Sequence, residues 1–337
     1  MEHHPRVSIV VGSFNSLTTI YRRRPLVDIL MDGIHRSTYH SYNIVIVDGC
    51  STDGSVPYIQ ERFKDVDLLK DRENYGLARS NNGGIMFAIK HYNPDYILSI
   101  NDDLIIKDKR WIDKLVDVAE SDKAVGIVGC KLTYPNGRIQ HAGISGLLTS
   151  RNIGRGQKDM HQFNRKVEME AVSGAVFLIK REVVDAIGLF DANFMIGFDE
   201  EDYCIRARRA GFKVVYDGGL SITHLEGSTS TLNNRKREGL VYRRQKNYIY
   251  FAMKDFPICF KLLAPFVAIA NSVISIETKD RPRALTGIRL KDKPISRLIG
   301  GIKGIVAGYR LYYFTKRVDY VPGQCVVISR ARIPTSK

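Results

Sequence analysis

The amino-acid sequence predicts an α/β fold with a mostly parallel central sheet, followed by a basic, helical C-terminal region. Two runs rich in β-branched residues, Val7–Val11 and Ile44–Val47, are typical of strands that are buried on both faces. Between them, from Leu26 to Ile34, apolar residues recur at the spacing of an amphipathic helix. This alternation indicates βαβ units, in which a helix connects two parallel strands.

The same alternation continues along the first two-thirds of the chain. Four further apolar runs are predicted strands: Leu68–Leu69, Tyr96–Ile100, Val125–Val128 and Ala175–Ile179. With 337 residues, the chain can bury one large α/β core and carry an appendage. We therefore expect a main domain over residues 1–234 and a helical region over residues 235–337.

Positive charge is concentrated in the last third of the chain. The net charge is +15, yet residues 1–234 contain 29 basic and 30 acidic residues, a balance of −1. Residues 235–337 contain 22 basic and 6 acidic residues, a balance of +16. This asymmetry favours an anionic partner, either a membrane surface or a nucleic acid, over a merely solvated basic face.

Cysteine usage and the N-terminus indicate a compartment. The five cysteines are scattered and form no CxxC pair, which argues against a disulfide framework or a structural zinc site. Because Met1–Arg6 leads directly into the first predicted strand, no signal peptide is expected before the fold. Together these observations predict a protein of the reducing cytoplasm.

Polar side chains follow three of the predicted strands at the point where each strand ends. Ser13 and Asn15 follow the first strand, Asp48 follows the second, and Asn101–Asp103 follows Tyr96–Ile100. In open α/β sheets, ligands bind beyond the carboxyl ends of the strands. We therefore expect these side chains to line one binding site.

Asp102 and Asp103 are candidates for a divalent cation site. The next basic residue along the chain is Lys107, so the two carboxylates would repel each other without a cation. Mg²⁺ or Mn²⁺, held by one or two carboxylates and completed by substrate phosphates, would relieve that repulsion. The alternative is a solvated turn with a helix cap from Asp108 onward. His224, which follows a later apolar strand, is compatible with metal or phosphate contact.

Two glycine-containing segments suit contact with a nucleotide. In VIVDGCSTDGS, Asp48 can accept hydrogen bonds from a base or a ribose. In NYGLARSNNGG, glycines and asparagines such as Asn82 permit close backbone approach, and Arg79 adds a cation for a diphosphate. A polar strand-to-helix turn and a plain loop at a helix start explain the same residues without a ligand.

Four consecutive acids, Asp199 to Asp202, precede a helix that ends in arginines. Acids at a helix N-terminus suit the macrodipole, and Asp202 with Arg206 forms an i,i+4 pair whose loss should cost on the order of 1 kcal/mol or less. Because capping requires one or two acids rather than four, a surplus carboxylate here is a candidate general base.

Taken in order, these segments resemble the family-2 glycosyltransferases, including rhamnosyl- and galactosyltransferases, which have the GT-A fold. The resemblance spans Val7 to Thr229 and continues weakly into the tail. It rests on SIVVGSFN, VIVDGCSTDGS, NYGLARSNNGG, ILSINDD in place of the family's DxD-type motif, and the region from VSGAVFLIK to LSITH. Each motif is weak by itself, whereas the ordered series is specific.

The resemblance implies a role for each candidate residue. The nucleotide-sugar would be bound by Ser13, Asn15, Asp48, Arg79, Asn82 and Asp102, the divalent metal by Asp103 and His224, and the catalytic base would be Glu200. Two departures stand out: the metal motif begins with Asn101 instead of aspartate, and the usual Glu-Asp pair is Asp199-Glu200, so Asp199 remains a rival base. The implied reaction is a single displacement with inversion. It would move a sugar from a nucleoside diphosphate-sugar to a hydroxyl of a glycan or lipid-linked acceptor at the cytoplasmic face of a membrane.

Two apolar segments of the tail are predicted to lie at a membrane surface. Leu262–Ile276 is an apolar run of 15 residues, whereas a span requires about 20. Ile295–Tyr313 mixes apolar, aromatic and basic residues like a second surface helix. The alternative is a helical cap that packs on the main domain. The two interpretations are compatible, because one helix can pack on the domain and also contact a membrane.

Two other functions compete with glycosyl transfer. A sugar-nucleotide nucleotidyltransferase would need a glycine-rich phosphate loop with a basic residue near the N-terminus, which SFNSLTTIYRRR matches poorly. A non-catalytic nucleic-acid-binding protein rests on charge alone, and no nucleic acid is expected as a partner.

Overall fold

The computed structural model describes residues 4–146, 151–195, 197–226, 237–273 and 294–331. The predicted boundary at residue 234 lies outside these ranges, as does the end of the predicted run Leu262–Ile276. All of the candidate site residues lie within them.

Strands and helices alternate along the described part of the chain. The strands are β1 (Val7–Ser13), β2 (Ile20–Tyr21), β3 (Arg24–Pro25), β4 (Tyr42–Asp48), β5 (Val66–Asp71), β6 (Tyr96–Asn101), β7 (Leu104–Ile105), β8 (Val125–Thr133), β9 (Ile139–His141), β10 (Ile144–Ser145), β11 (Arg151–Asn152), β12 (Lys166–Glu168), β13 (Val176–Lys180), β14 (Lys213–His224) and β15 (Cys325–Ser329). The helices are α1 (Leu26–His35), α2 (Ser55–Arg62), α3 (Leu77–Tyr92), α4 (Trp111–Glu120), α5 (Arg181–Ile187), α6 (Asp199–Arg209), α7 (Arg237–Asp255), α8 (Ile258–Val273) and α9 (Pro294–Phe314), and a 3₁₀ turn spans Ala192–Phe194.

The central sheet has the strand order β12-β14-β8-β13-β6-β1-β4-β5-β15. Strands β6, β1, β4 and β5 run parallel to one another, as do β8 and β14. Strand β13 is antiparallel to both of its neighbours and lies between these two groups. The prediction of an α/β fold with a mostly parallel sheet is therefore confirmed.

The register of the parallel strands places their polar ends side by side. Ser13 at the end of β1 pairs with Asp48 at the end of β4, and Gly12 pairs with Asn101 at the end of β6. The polar residues at the ends of β4 and β6, the two neighbours of β1, thus lie at the same edge of the sheet.

The sheet separates two hydrophobic cores, and β1 contributes to both of them. Ile9 and Val11 face one core, whereas Val10 faces the other, as the alternation of a strand requires. Helix α3 approaches this second face closely, because a β-carbon on Gly84 would lie 2.5 Å from Cγ1 of Val10. Gly84 of NYGLARSNNGG therefore serves helix–sheet packing.

The basic tail contains helices, as predicted, but it also contains a strand that the sequence analysis did not predict. Helices α7, α8 and α9 pack against one another, and α7 packs against α6. The chain then returns to the main sheet, where β15 pairs antiparallel with β5 and Cys325 lies opposite Asp71. The tail is thus joined to the main domain by a shared sheet. Across the described ranges, every helix is too short or too polar to cross a membrane.

Candidate active site

Asp103 and His224 form a buried pair beyond the end of β6. Oδ1 of Asp103 lies 2.9 Å from Nε2 of His224. The backbone fixes the pair, because His224 pairs with Leu104 across β14 and β7, and the Leu225 N–H donates to the Asp103 carbonyl at 3.0 Å. Burial opposes the charged imidazole, but Asp103 outweighs burial and raises the pKa of His224. The two side chains assigned to the metal by resemblance are therefore in contact.

Gln140 orients the imidazole of His224 and was missed by the sequence analysis. Its Oε1 lies 2.6 Å from Nδ1 of His224. Because an amide oxygen can only accept, Nδ1 is the donor, and Nε2 is the nitrogen that faces Asp103. Such a partner fixes the tautomer in which Nε2 can ligate a metal. Gln140 lies in the short strand β9, between Ile139 and His141. A single glutamine in such a strand gives no sequence signal for this role.

Asp102 lies beside this pair and faces the turn after β1. It is 5 % exposed, and its Oδ2 accepts the Phe14 N–H at 3.1 Å. Burial and the charge of Asp103 raise the pKa of Asp102 to about 7. Ser13 donates to Ser16 Oγ at 3.0 Å, within the same turn. Asp102 and Asp103 thus lie close together at the strand end, where burial disfavours a second negative charge beside Asp103.

Asp48 and Asn15 organise the neighbouring turn. Oδ1 of Asp48 accepts the Ser51 N–H at 2.8 Å, and Oδ1 of Asn15 accepts the Thr52 N–H at 3.0 Å. Burial raises the pKa of Asp48, although its hydrogen bonding to Ser51 opposes this shift. Within the described residues, Oδ2 of Asp48 and Oδ1 of Asn101 are buried without a hydrogen-bond partner. A buried polar atom in this state is costly unless a ligand satisfies it.

The structure gives Arg79 and Asn82 contacts within the protein. Asn82 is completely buried, where Nδ2 donates to the Phe190 carbonyl at 2.8 Å and Oδ1 accepts the Phe190 N–H at 3.0 Å. These contacts hold Asn82 against the Phe190 backbone, and its assignment to the nucleotide stays a prediction. Nε of Arg79 donates to Gln324 Oε1 at 2.9 Å, and its guanidinium lies 3.9 Å from the ring centre of Tyr75.

Asp199 and Glu200 form a hydrogen-bonded pair of carboxyl groups at the first turn of α6. Burial, together with the charges of Glu201 and Asp199, raises the pKa of Glu200 well above its usual value. A β-carbon on Gly174 would lie 3.5 Å from Cβ of Glu200. The next residue, Ala175, accepts the Asn101 N–H at 3.2 Å. The acid pair therefore borders the same strand end as Asp102 and Asp103.

Asp202 corrects an expectation from the sequence. Its predicted pair with Arg206 is present at 2.8 Å, but Asp202 is completely buried and also lies 2.5 Å from Nζ of Lys254 on α7. A buried pair that loses one partner costs about 3–5 kcal/mol. The expected cost of 1 kcal/mol or less, which assumed a solvated helix surface, is therefore wrong.

A parallel sheet whose adjacent strand ends hold Asp48 and Asn101–Asp103, with an acid pair beside them, defines the class of GT-A-type glycosyltransferases. The chain belongs to glycosyltransferase family 2, since the family model described as "Glycosyltransferase like family 2" matches residues 4–242. The resemblance noted from the ordered motifs is thereby confirmed.

Two curated proteins are similar in sequence. The chain is 26% identical over 261 residues to the uncharacterized protein y4gI of Sinorhizobium fredii, which covers 74% of this chain and 28% of y4gI. It is 27% identical over 244 residues to the O-antigen biosynthesis protein RfbC of Myxococcus xanthus, which covers 67% of this chain and 18% of RfbC. The chain thus spans less than a third of the length of either relative.

Solved structures share the fold at low sequence identity. A mannosyltransferase, PcManGT from Pyrobaculum calidifontis in complex with GDP-Man and Mn²⁺, aligns with a TM-score of 0.53 at 18% identity, covering 94% of this chain and 89% of that one. GalNAc-T7 with UDP, GalNAc and Mn²⁺ aligns with a TM-score of 0.56 at 15% identity, covering 93% and 57% of the two chains.

Proposed function

We propose that this chain transfers a sugar from a nucleoside diphosphate-sugar to an acceptor hydroxyl, with inversion and with a divalent metal. The observation that carries the proposal is the Asp103–His224 contact, at 2.9 Å, beside the raised-pKa carboxyl of Asp102. This arrangement concentrates anionic oxygens and one imidazole where a nucleotide would meet the ends of β1, β4 and β6. The relatives and neighbours support it, since their names mention O-antigen biosynthesis, GDP-Man, UDP and Mn²⁺.

The residues present fit Mg²⁺ or Mn²⁺. No group of three or more His, Cys, Asp or Glu side chains within the described ranges forms an all-protein metal cage. Such a cage is not required, because these ions are held by one or two protein ligands and completed by water and substrate phosphates. Asp103 and His224 would hold the ion, which would neutralise charge on the departing diphosphate.

The chain's own residues account for the remaining steps. Asp48 and Asn101 present unpaired buried oxygens to the nucleotide, and Asp102 fixes the turn after β1 through the Phe14 N–H. Glu200 takes the proton of the acceptor hydroxyl as its oxygen attacks the anomeric carbon, and the bond to the nucleoside diphosphate breaks. The raised pKa of Glu200 suits a base that must hold this proton in the product. Asp199 shares a hydrogen bond with Glu200 and orients it.

The tail supports a membrane-bound acceptor. Helices α8 and α9 contain four basic residues (Lys261, Arg297, Lys303 and Arg310) and no Asp or Glu. Large apolar side chains on both helices face solvent, among them Leu262 at 69 % and Phe266 at 71 % on α8 and Ile302 at 50 % and Val306 at 54 % on α9. Helices that combine exposed apolar side chains with basic residues and carry no acid fit the anionic surface of a lipid bilayer.

We place this contact at the cytoplasmic face, because all five cysteines are free thiols. The acceptor would then be a glycan or a lipid-linked glycan precursor presented at that surface.

The transfer is tested with a panel of nucleoside diphosphate-sugars, scored for release of the nucleoside diphosphate. After chelation, release should stop, and Mn²⁺ or Mg²⁺ should restore it. Full activity in chelator would contradict the metal site, and release from no donor would contradict the proposed reaction.

The membrane contact is tested with vesicles. The protein should bind phosphatidylcholine vesicles that contain phosphatidylglycerol more than vesicles of phosphatidylcholine alone, and salt should weaken binding, because exposed charges are screened beyond about 8–10 Å. Phe266→Ser should reduce binding, while Ile20→Ser, which changes a 52 % exposed side chain on β2, should not. Equal binding to both vesicles, or a dimer that buries this face and ignores vesicles, would contradict the contact.

A further inference from the structure

The loop that leads into α6 has a conformation that it cannot hold by itself. Met195 and Phe198 both have positive φ angles, 58° and 69°. Such angles are unfavourable for residues other than glycine and persist where surrounding contacts impose them. Glu200 lies two residues beyond Phe198, in the first turn of α6. The contacts that impose this loop conformation therefore also set the position of Glu200.

One face of α7 supplies those contacts to the backbone. Nδ2 of Asn247 donates to the Phe194 carbonyl at 2.6 Å and to the Gly197 carbonyl at 3.1 Å. These two carbonyls bracket the positive-φ residue Met195. Asn247 is 2 % exposed, so its amide lies away from solvent. Its hydrogen bonds therefore satisfy the two loop carbonyls in place of water.

The next two turns of the same helix face bind the acids on either side of the loop. The hydroxyl of Tyr250 donates to Asp191 Oδ2 at 2.8 Å. Nζ of Lys254 lies 2.7 Å from Asp191 and 2.5 Å from Asp202, so one ammonium group connects the residue before the loop with the first turn of α6. Asn247, Tyr250 and Lys254 follow each other at i, i+3 and i+7, the spacing of one helix face.

We propose that this face of α7 positions the catalytic base: Asn247 holds the carbonyls of Phe194 and Gly197, and Lys254 holds Asp191 and Asp202, so that Glu200 meets the acceptor hydroxyl. The proposal rests on Glu200 being the base of the proposed reaction. It assigns Asn247 and Lys254 as positioning residues, which act through the loop and do not touch the substrate. The tail therefore contributes to catalysis and not only to attachment.

A second ion pair at the same junction provides a matched control. Arg209, near the end of α6, lies 2.8 Å from Asp255 of α7 and also donates to the Asp255 carbonyl at 2.7 Å. This contact joins the same two helices at the end of α6, away from Glu200. Asp255 also interacts with Asp202 and Lys254, and Arg209→Met leaves both of those residues in place. Loss of Arg209 should weaken the junction without releasing the loop.

The test compares Lys254→Met, Asn247→Ala and Arg209→Met in the full chain. Turnover is measured as nucleoside diphosphate release from the donor that the wild type uses, and binding of that nucleoside diphosphate with Mn²⁺ is measured by calorimetry. Lys254→Met and Asn247→Ala should lower kcat by about tenfold or more and leave diphosphate binding within about twofold. Arg209→Met should keep kcat near the wild-type value, and Lys254→Arg should recover most of the activity lost in Lys254→Met.

The outcomes separate this inference from the proposed reaction. Asn247→Ala leaves no buried charge unpaired, so it remains informative if Lys254→Met fails to fold. If all three variants lower kcat only in step with their thermal stability, α7 is structural support and the positioning role is overturned. If the wild type releases no diphosphate from any donor, the proposed reaction itself fails.

Discussion

Two buried carboxylates of this molecule, Asp102 at the strand ends and Asp202 at the junction of α6 and α7, are compensated in opposite ways. At the strand ends, burial and the neighbouring charge of Asp103 raise the pKa of Asp102 to about 7. At the junction of α6 and α7, burial acts on Asp202 too, but Arg206 and Lys254 outweigh it and hold the pKa of Asp202 below its usual range. The strand-end acids carry charge that a bound cation would neutralise, whereas the chain's own cations neutralise Asp202. Burial alone therefore does not distinguish these two acids, whereas the neighbouring charges do.

The largest expected effect is at the base. Glu200→Gln keeps the size and hydrogen bonding of the side chain but cannot accept the acceptor proton, so turnover should fall by about 10²–10⁴-fold. Donor binding should stay near normal, because it is assigned to the strand ends. Asp199→Asn should have an intermediate effect. Turnover of all variants is measured at saturating donor. An inactive Asp199→Asn with a nearly active Glu200→Gln would show that Asp199, not Glu200, is the base.

Asp202→Asn should affect stability instead. It removes the buried carboxylate that pairs with Arg206 and Lys254, although Lys254 keeps Asp191, so the free energy of unfolding should fall by about 3–5 kcal/mol. The matched control is Asp185→Asn, which breaks an i,i+4 pair with Arg181 on α5 where the Asp185 side chain is 57% exposed. That change should cost about 0.5 kcal/mol or less. Equal losses for the two variants in denaturant unfolding would remove the distinction between the two regions.

Gln140→Leu tests how the strand-end site is held. Without the Oε1 acceptor, His224 loses the bond that fixes its tautomer, and Mn²⁺ affinity should fall by about 10–100-fold. Gln162→Leu changes an exposed glutamine that donates to the Lys158 carbonyl and accepts the Met160 N–H within the same loop, and it should leave the affinity unchanged. Calorimetric titration with Mn²⁺ and a nucleoside diphosphate measures both variants. An unchanged affinity in Gln140→Leu would exclude His224 as a ligand.

The two regions should also respond to acid at different pH values. The pKa of Glu200 is raised, so lowering the pH protonates the base, and kcat should fall while the pH is still above the usual pKa of about 4.3 for a glutamate. The pKa of Asp202 is lowered, so its stabilisation is complete above its unfolded pKa and is lost only as the pH falls through the lower folded value. Activity should therefore disappear before the fold does. Comparison of kcat and circular dichroism along one pH series checks the order.

The fold and the strand-end site were predictable because their signals are local. Val7–Val11 and Ile44–Val47 identify buried strands, and Asp48 and Asp103 follow strands directly, so parallel pairing brings them to one edge. The role of Asp202 was not predictable, because it depends on Lys254, which lies far along the chain on another helix. Gln140 was missed for the same reason, since its partner His224 is 84 residues away.

Strand β15 shows the same limit, because its partner β5 is set by tertiary structure. The apolar residues of CVVIS fit a strand, but nothing local indicates which edge it joins. The basic, acid-poor composition of the surrounding tail favoured helices at a membrane. The prediction followed that composition and did not assign a strand to the five residues of CVVIS.

The pairing of β15 with β5 also has a consequence for the order of folding. Cys325 and Asp71, which lie opposite each other in the sheet, are separated by 254 residues. Until β15 emerges from the ribosome, β5 presents an open edge of unpaired backbone groups, which is a template for association with other nascent chains. Closure of this edge is a contact of very high sequence separation, and such contacts form slowly. The β5 edge of the main sheet therefore stays open to chaperones and to misassembly while the residues between Asp71 and Cys325 are synthesised.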